Sequence, residues 1–282
     1  MGNVSLLRLD QSGGLAPGNK AFKLREYLAQ ARHSGAERLV SFGGAWSNHL
    51  HALAALGQQN GIETVGIVRG EAAEDETAML ADAVSWGMKL QRVSRTEYRR
   101  RNDVDYQREL RERFAPCLLI PEGGASPAGV RGCAAIGELI GDVAPQVGRV
   151  VVSVGTGTTL AGLVSSLDTD CEIVGISALK GATDLEQRVL DLLAASDAGR
   201  QAGWSIRHDF HCGGFARVSS ALREFILAFE AVQEVPLDPV YTGKMLFAIH
   251  QLIKTGEWNA GTPILAIHTG GLQGRRGYPW MT

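Results

Sequence analysis

The stretch VVVSVGTGTTLAG at residues 150–162 begins as an apolar β-branched run, passes through a turn of glycine and threonine, and ends as the start of a helical pattern. This order predicts a buried strand that leads through a tight turn into a helix. Similar short runs recur along the chain and alternate with longer segments of helical period. That alternation is typical of an α/β fold, in which helices cover both faces of a mostly parallel sheet.

The strands predicted from these runs cover residues 5–9, 39–42, 64–68, 89–93, 118–120, 149–153, 172–176 and 264–267. The helices predicted between them cover residues 21–34, 47–60, 76–86, 104–114, 130–140, 160–167, 184–195, 220–233 and 243–255. No low-complexity linker separates these elements, so the pattern by itself does not locate a domain boundary.

The turn at residues 155–159 is the first candidate for a binding site. Backbone N–H groups, threonine hydroxyls and the positive end of a helix together suit a phosphate. The dinucleotide-binding fingerprint requires a third glycine where Leu160 stands, and the lysine of a Walker loop is also missing. A nucleotide-dependent protein is therefore the weaker alternative. The turn at residues 155–159 can be interpreted either as an anion site or as an ordinary tight turn.

Glycine pairs mark further junctions between predicted strands and helices, at Gly43-Gly44, Gly123-Gly124 and Gly270-Gly271. In open α/β sheets, ligands bind beyond the carboxyl ends of the strands, where glycine lets the backbone approach a ligand closely. We therefore expect several of these loops to converge on one cleft.

Composition excludes several classes of protein. The 282 residues carry a formal net charge of −2, so nothing predicts binding to nucleic acid or to an anionic membrane, and the run Arg99–Arg101 is expected on a solvated helix face. No apolar run approaches the roughly 20 residues of a membrane helix, and the first residues lack the pattern of a signal peptide. Because the four cysteines are widely spaced, we expect buried thiols and a cytoplasmic protein.

Polar side chains stand at the start of two predicted helices. Lys20 follows Gly18-Asn19 and opens a helix, where the helix dipole disfavours a charged amine and favours a neutral, nucleophilic one. A surface lysine is the alternative. The segment Ser47-Asn48-His49 offers a hydroxyl, an amide and an imidazole on one turn. Here the alternative is an ordinary serine N-cap followed by a capped or solvated histidine.

Taken together, these segments resemble the D-cysteine desulfhydrase and 1-aminocyclopropane-1-carboxylate deaminase family of pyridoxal-phosphate (PLP) enzymes. The stretches that carry the resemblance are GNKAFKL at 18–24, SFGGAWSNH at 41–49, VVVSVGTGTTLAGL at 150–163, LDPVYTGK at 237–244 and ILAIHTGG at 264–271. The resemblance implies the tryptophan-synthase-β-like fold (PLP fold type II), with two open, twisted, mostly parallel sheets and flanking helices. It also implies a small domain at 25–135 inserted into a large PLP-binding domain formed by 1–24 and 136–282, and a homodimer.

The resemblance assigns a role to each candidate site residue and implies no metal ion. Lys20 would form a Schiff base with PLP and carry the substrate's α-proton, and Asn48 would bind the cofactor's phenolic oxygen. The residues that would contact PLP are Lys20, Asn48, Gly155, Thr156, Gly157, Thr158, Thr159, Thr242 and Thr269, with Gly155–Thr159 at the phosphate and Thr242 near the pyridine nitrogen.

On the substrate side, the resemblance implies contacts from Ser47, His49, Phe215 and Tyr241. Ser47 would lie beside the substrate carboxylate or serve as an auxiliary base or nucleophile, and Tyr241 would stand over the substrate. Lys20, Ser47 and Tyr241 are therefore the expected catalytic residues. Phe215 aligns with a second tyrosine of the family, so a ring is kept and a hydroxyl is lost.

The reaction that these parts imply is β-elimination from a small amino acid, which gives a 2-oxo acid and ammonia. Thr242 stands where the deaminases carry a glutamate that keeps the pyridine nitrogen protonated, and a neutral threonine cannot do this. A D-cysteine desulfhydrase-like activity, which also releases sulfide, is therefore favoured over the cyclopropane-opening deaminase. A third hypothesis, from another class, is a catalytically weak PLP-binding or regulatory protein in which Phe215 has removed efficient chemistry.

Overall fold

Two parallel β-sheets organise the chain in a computed structural model that describes residues 3–71, 76–167, 170–197 and 202–281. The strands are Val4–Arg8 (β1), Arg38–Gly43 (β2), Glu63–Arg69 (β3), Lys89–Val93 (β4), Cys117–Ile120 (β5), Arg149–Val154 (β6), Glu172–Ser177 (β7), Trp204–Arg207 (β8) and Ile264–His268 (β9). One sheet has five strands in the order β1-β9-β6-β7-β8, and the other has four in the order β4-β3-β2-β5. The predicted α/β class with two parallel sheets is confirmed.

Helices connect the strands and cover both sheets. The α-helices are Asn19–Ser34 (α1), Asn48–Asn60 (α2), Ala78–Ser85 (α3), Arg95–Arg99 (α4), Val104–Arg113 (α5), Pro127–Val143 (α6), Thr158–Val164 (α7), Leu185–Ala195 (α8), Ser220–Gln233 (α9) and Thr242–Lys254 (α10). A 3₁₀ helix at Leu272–Gly277 follows the last strand. Within the described ranges, no helix is long and apolar enough to cross a membrane.

The prediction missed two short elements. Strand β8 is only four residues long and alternates polar with apolar side chains, because it pairs with β7 at the edge of the larger sheet. Helix α4 contains no aliphatic residue, so it has no apolar period to detect. The basic run at its end lies among acidic partners, since Arg101 pairs with Glu122 at 2.6 Å.

Helices α1 and α6 join the two sheets. Phe22 of α1 packs against the core of the larger sheet, whereas Leu24 and Tyr27 of the same helix belong to the core of the smaller one. Helix α6 packs tightly against α1, since a Cβ at Gly132 would lie 2.2 Å from the carbonyl oxygen of Phe22. The strands β2–β5 lie in the chain between β1 and β6, and the boundaries expected at residues 24/25 and 135/136 fall inside these two helices.

The loops at the carboxyl ends of β6 and β9 meet at the start of α1. Gly18 forms an antiparallel bridge with Gly270, and the backbone N–H of Asn19 donates to the Thr269 carbonyl oxygen at 3.1 Å. This arrangement brings the Gly/Thr turn, the end of β9 and the first turn of α1 to one place in the fold.

Candidate active site

Glycine fixes the start of α1 against the end of β9. Gly18 has a φ of 106°, and a Cβ at this position would lie 2.4 Å from the Thr269 carbonyl oxygen. Only glycine accommodates both the backbone angle and the close approach. The Asn19 side chain then reaches the other loop, because its Nδ2 donates to Thr159 Oγ1 at 2.9 Å. The backbone that carries Lys20 is therefore held from both sides.

Lys20 has the properties of a nucleophilic amine. Its Nζ donates to Asn19 Oδ1 at 2.9 Å and lies 6.0 Å from the ring centroid of Tyr241. Burial, and after it the neighbouring charge of Lys23, lowers the pKa of Lys20 to about 7. Burial therefore dominates the shift, rather than the helix dipole invoked from sequence. At neutral pH a large fraction of this amine is unprotonated.

Lys23 is a site residue that the sequence analysis did not assign. It lies one turn after Lys20 on the same face of α1 and is only 4% exposed. Its Nζ makes two long contacts, at 3.4 Å to the Gly123 carbonyl oxygen and at 3.5 Å to Thr156 Oγ1. Burial lowers the pKa of Lys23, because these neutral partners do not replace lost hydration. The side chain is thus a buried donor suited to an anion.

The Gly/Thr turn lies beside this lysine. Thr156 Oγ1 and Thr158 Oγ1 are 3.0 Å apart, so two hydroxyls stand next to the Lys23 amine. Gly157 has a φ of 85°, and a Cβ there would meet Val189 at 2.9 Å. Thr159 faces the other way, since it accepts the hydrogen bond from Asn19. Of the predicted phosphate ligands, Thr156 is therefore the hydroxyl that contacts Lys23, and Thr158 lies beside Thr156.

Asp238 organises the opposite wall, and it too was missed from the sequence. Its Oδ1 accepts from the backbone N–H of Tyr241 at 2.7 Å, and its Oδ2 accepts from that of Thr242 at 2.8 Å. These bonds fix the first turn of α10 and both residues on it. Thr242 Oγ1 is buried and has no hydrogen-bond partner among the described residues. A buried hydroxyl without a partner is costly, so this atom is suited to a polar group of a ligand.

Tyr241, which lines the cleft, and Phe215 stand next to each other. Their ring centroids are 6.2 Å apart in an edge-to-face arrangement, and Phe215 is 51% exposed. Tyr241 also packs over the Gly/Thr turn, because a Cβ on Gly155 would lie 3.2 Å from its ring. The loop that carries Phe215 is anchored by the buried Lys244, whose Nζ donates to the Gly214 carbonyl oxygen at 2.7 Å. Phe215 is therefore a half-exposed neighbour of Tyr241 and not a core residue, and its contact with the substrate stays a prediction.

The start of α2 supplies the third wall. Ser47 caps the helix and accepts from the backbone N–H of Leu50 at 3.2 Å. Asn48 Oδ1 accepts from Gln273 Nε2 at 2.9 Å, which leaves Asn48 Nδ2 as the group that can donate to a ligand. A Cβ on Gly271 would lie 2.9 Å from Nδ2, so glycine keeps the space in front of it open. Asn48, Lys20, Tyr241 and Thr269 line one cleft together.

His49 does not join them. Its Nε2 lies 2.8 Å from Ser41 Oγ, and this hydroxyl donates in turn to the Ile120 carbonyl oxygen at 2.8 Å. The imidazole is buried beneath the first turn of α2, and burial lowers the pKa of His49 to about 3. Neither His49 nor Ser47 is among the described residues that line the cleft. Of the alternatives considered from sequence, the serine N-cap is confirmed, whereas a solvated histidine is wrong, because the His49 side chain is only 3% exposed.

Comparison with known proteins finds relatives along nearly the whole chain. A Pyrococcus horikoshii protein, provisionally named a 1-aminocyclopropane-1-carboxylate deaminase, is 27% identical over 96% of this chain and 85% of its own length. A Salmonella choleraesuis D-cysteine desulfhydrase is 29% identical over 90% of this chain and 82% of its own. A crystal structure of a homologue of 1-aminocyclopropane-1-carboxylate deaminase superposes with a TM-score of 0.84 at 26% identity, covering 98% of this chain and 87% of that one.

A sequence profile of a protein family also matches this chain. The profile, described as pyridoxal-phosphate dependent enzyme, aligns with residues 7–270, a range that begins in β1 and ends just after β9. That range contains the strands β2 to β9, both lysines of α1, the Gly/Thr turn and the start of α10. This chain belongs to the family of pyridoxal-phosphate dependent enzymes.

Proposed function

We propose that this protein catalyses β-elimination from a small amino acid and that D-cysteine is a better substrate than 1-aminocyclopropane-1-carboxylate. The products would be a 2-oxo acid, ammonia and, from cysteine, sulfide. The observation that supports this choice most directly is the buried hydroxyl of Thr242, which has no hydrogen-bond partner in the part of the chain that the structure describes. It offers a neutral hydrogen bond to the cofactor where the cyclopropane-opening enzymes place a carboxylate.

The described side chains suit each polar group of PLP. Lys20 would form the covalent link, and Lys23, Thr156 and Thr158 would surround the phosphate, because they combine one buried cation with two adjacent hydroxyls. Asn48 Nδ2 would donate to the phenolic oxygen, since its Oδ1 is already used by Gln273. Thr242 Oγ1 would donate to the pyridine nitrogen.

The chain's own residues then have distinct tasks. Bound PLP supplies an electron sink for the substrate's α-carbon. The Lys20 amine removes the α-proton, because burial keeps its pKa near the working pH and leaves it unprotonated. The β-substituent departs with its electron pair, as thiolate in the case of cysteine, and water completes the release of pyruvate and ammonia. Tyr241 and Phe215 would cover the substrate and limit the access of water to it.

The strength of the electron sink decides between the two substrates. A protonated pyridine nitrogen withdraws electrons more strongly than a neutral one, and a hydroxyl cannot hold that proton as a carboxylate can. Loss of a thiolate needs little stabilisation of charge at the α-carbon, whereas opening an unactivated cyclopropane ring needs more. The relatives include proteins named as deaminases and proteins named as D-cysteine desulfhydrases, so the preference for one substrate is argued from Thr242.

Steady-state assays of the purified, PLP-loaded protein test the proposal. We expect pyruvate, ammonia and sulfide in equal amounts from D-cysteine, and a specificity constant for 1-aminocyclopropane-1-carboxylate at least tenfold lower, which is one missing interaction of about 1.4 kcal/mol in the transition state. Similar constants for the two compounds would favour the deaminase. Absence of 2-oxo acid from D-cysteine, L-cysteine, D-serine, β-chloroalanine and the cyclopropane would instead favour a PLP-binding protein with weak turnover, which the missing hydroxyl of Phe215 would explain.

The proposal extends to a cytoplasmic homodimer with an inserted small domain at 25–135. The free thiols support the reducing compartment, since Cys117, Cys133, Cys171 and Cys212 are all unpaired. Light scattering coupled to size exclusion would give the mass in solution, and a value for one chain would exclude the dimer.

A further inference from the structure

One face of α2 contributes further residues to the cleft besides Asn48. Asn48, His51 and Ala52 stand at positions i, i+3 and i+4 of the helix, and all three line the cleft that also contains Lys20 and Tyr241. The Asn48 amide is held by Gln273. His51 is thus a second polar side chain on this wall, one helical turn beyond the residue expected at the cofactor.

The His51 side chain is held by Asp82, which in turn forms an ion pair with Arg276. Its Nε2 lies 2.9 Å from Asp82 Oδ2 on α3, and its ring packs edge-to-face on Trp86 with centroids 4.6 Å apart. Arg276 binds the same carboxylate through both terminal nitrogens, with Nη1 at 3.2 Å from Oδ1 and Nη2 on Oδ2. Gln273 and Arg276 are three residues apart in the last 3₁₀ helix and therefore lie on the same face of that helix. This face holds Asn48 through Gln273 and Asp82 through Arg276.

These contacts determine which ring nitrogen carries the proton. The hydrogen bond and charge of Arg276 lower the pKa of Asp82, so this carboxyl is ionised and only accepts. His51 Nε2 must therefore carry the hydrogen that it donates. Burial lowers the pKa of His51 despite the nearby carboxylate, so the ring is neutral at neutral pH. In this tautomer Nδ1 is an acceptor, and no described residue forms a hydrogen bond with it.

We propose that His51 is a specificity-determining residue whose Nδ1 accepts a hydrogen bond from an S–H or O–H group on the substrate's β-carbon. This inference builds on the proposed function and narrows its substrate class. Small amino acids with a donor on the β-substituent would be preferred over analogues of similar size that lack one, because an analogue without a donor would leave the Nδ1 acceptor unpaired.

Two substitutions of His51 each retain one of its ring nitrogens as an amide atom, and together they separate the bond to Asp82 from recognition of the substrate. In His51→Gln the amide nitrogen can stand in for Nε2 and keep the bond to Asp82, while the acceptor at the Nδ1 position is lost. In His51→Asn the amide oxygen can stand in for Nδ1, while the bond to Asp82 is lost. A structural role through Asp82 and a recognition role through Nδ1 therefore predict opposite orders for these variants.

The test compares D-cysteine with β-chloro-D-alanine, whose chlorine cannot donate a hydrogen bond. In His51→Gln we expect kcat/KM for D-cysteine to fall about tenfold, the effect of one hydrogen bond, and kcat/KM for the chloro compound to change less than twofold. His51→Asn should retain more activity toward D-cysteine than His51→Gln. Equal losses for both substrates, no loss for either, or the reverse order of the variants would overturn the inference.

A second readout does not depend on turnover. Nitrogen-15 spectra of the imidazoles in the PLP-loaded protein, assigned by the signal lost in His51→Gln, should show His51 with its hydrogen on Nε2 at neutral pH. A hydrogen on Nδ1 would make this atom a donor and contradict the inference. Wild-type release of pyruvate from β-chloro-D-alanine keeps the proposed function standing whatever the His51 variants do. If the wild type releases no 2-oxo acid from either compound, the proposed function fails and this inference fails with it.

Discussion

The floor and the rim of the cleft differ in burial and in polarity. The floor, which we define as Lys20, a residue of the cleft lining, together with Lys23, Thr156 and Thr242, is polar. It contains an amine with a lowered pKa and a hydroxyl that has no hydrogen-bond partner among the described residues. The rim, which we define as Leu15 of the cleft lining and Phe215, whose ring packs on Tyr241 of that lining, is apolar and exposed by 42% and 51%. Polar groups that are buried at a cost are expected to match one ligand, whereas an exposed apolar rim tolerates exchange. The difference suggests that the floor specifies the cofactor and that the rim, with His51, selects the substrate.

Replacing Lys20 should have the largest effect on the floor. Lys20→Ala removes the amine that would bond to PLP, so we expect the visible absorbance of the bound cofactor and all measurable turnover to disappear. The exposed Lys254→Ala is the matched control and should leave both unchanged. Retention of covalent PLP by Lys20→Ala would assign the link to another lysine.

Removing the Lys23 cation should weaken PLP without abolishing its covalent link. The lost hydrogen bond to a charged group is worth roughly 1.5–3 kcal/mol, so the dissociation constant of PLP for Lys23→Met should rise roughly ten- to hundredfold. Because the described partners of this buried amine in the PLP-free protein are neutral, the melting temperature should stay the same or rise. Unchanged affinity, measured by absorbance titration, would place the phosphate elsewhere.

The pH dependence of the rate at which PLP binds tests the lowered pKa of Lys20 without a mutation. Only the unprotonated amine attacks PLP, and a pKa of about 7 for Lys20 means that this form increases with pH and saturates above that value. The loading rate of PLP-free protein should therefore rise about tenfold from pH 6 to pH 8 and then level off, whereas an ordinary lysine would give about a hundredfold rise with no plateau. Stopped-flow absorbance measures this rate, and a continuing rise beyond pH 9 would contradict the burial argument.

Adding a hydroxyl to the rim should affect catalysis and not stability. We expect Phe215→Tyr to raise kcat for β-elimination about tenfold, because general acid–base groups contribute 10²–10⁴-fold and the surrounding site has not been adapted to this one. Phe215 is half exposed, so the new hydroxyl remains hydrated and the melting temperature should not change. A destabilised variant with unchanged kcat would remove this ring from the site.

The sequence predicted the fold better than the orientation of individual side chains. Long apolar runs define most strands, but β8 has no such run and depends on its neighbour β7. Lys23 lies in the same motif as Lys20, and helical spacing could have identified it, but only the structure shows that it is buried. His49 and His51 are two residues apart on α2, and the sequence indicated His49 as the substrate contact. In the structure His51 lines the cleft, because Ser41 holds the His49 ring beneath the helix, and a substrate contact from His49 stays a prediction.

The account depends most on Lys20 as the residue that carries the cofactor. Reduction of the PLP-loaded wild-type protein with borohydride would fix PLP to its lysine, and mass spectrometry of the peptides would identify the position. We predict that the modified lysine is Lys20 and that Lys23, one helical turn away, is unmodified. Modification of Lys23, or of a lysine outside α1, would contradict the assignment of the floor.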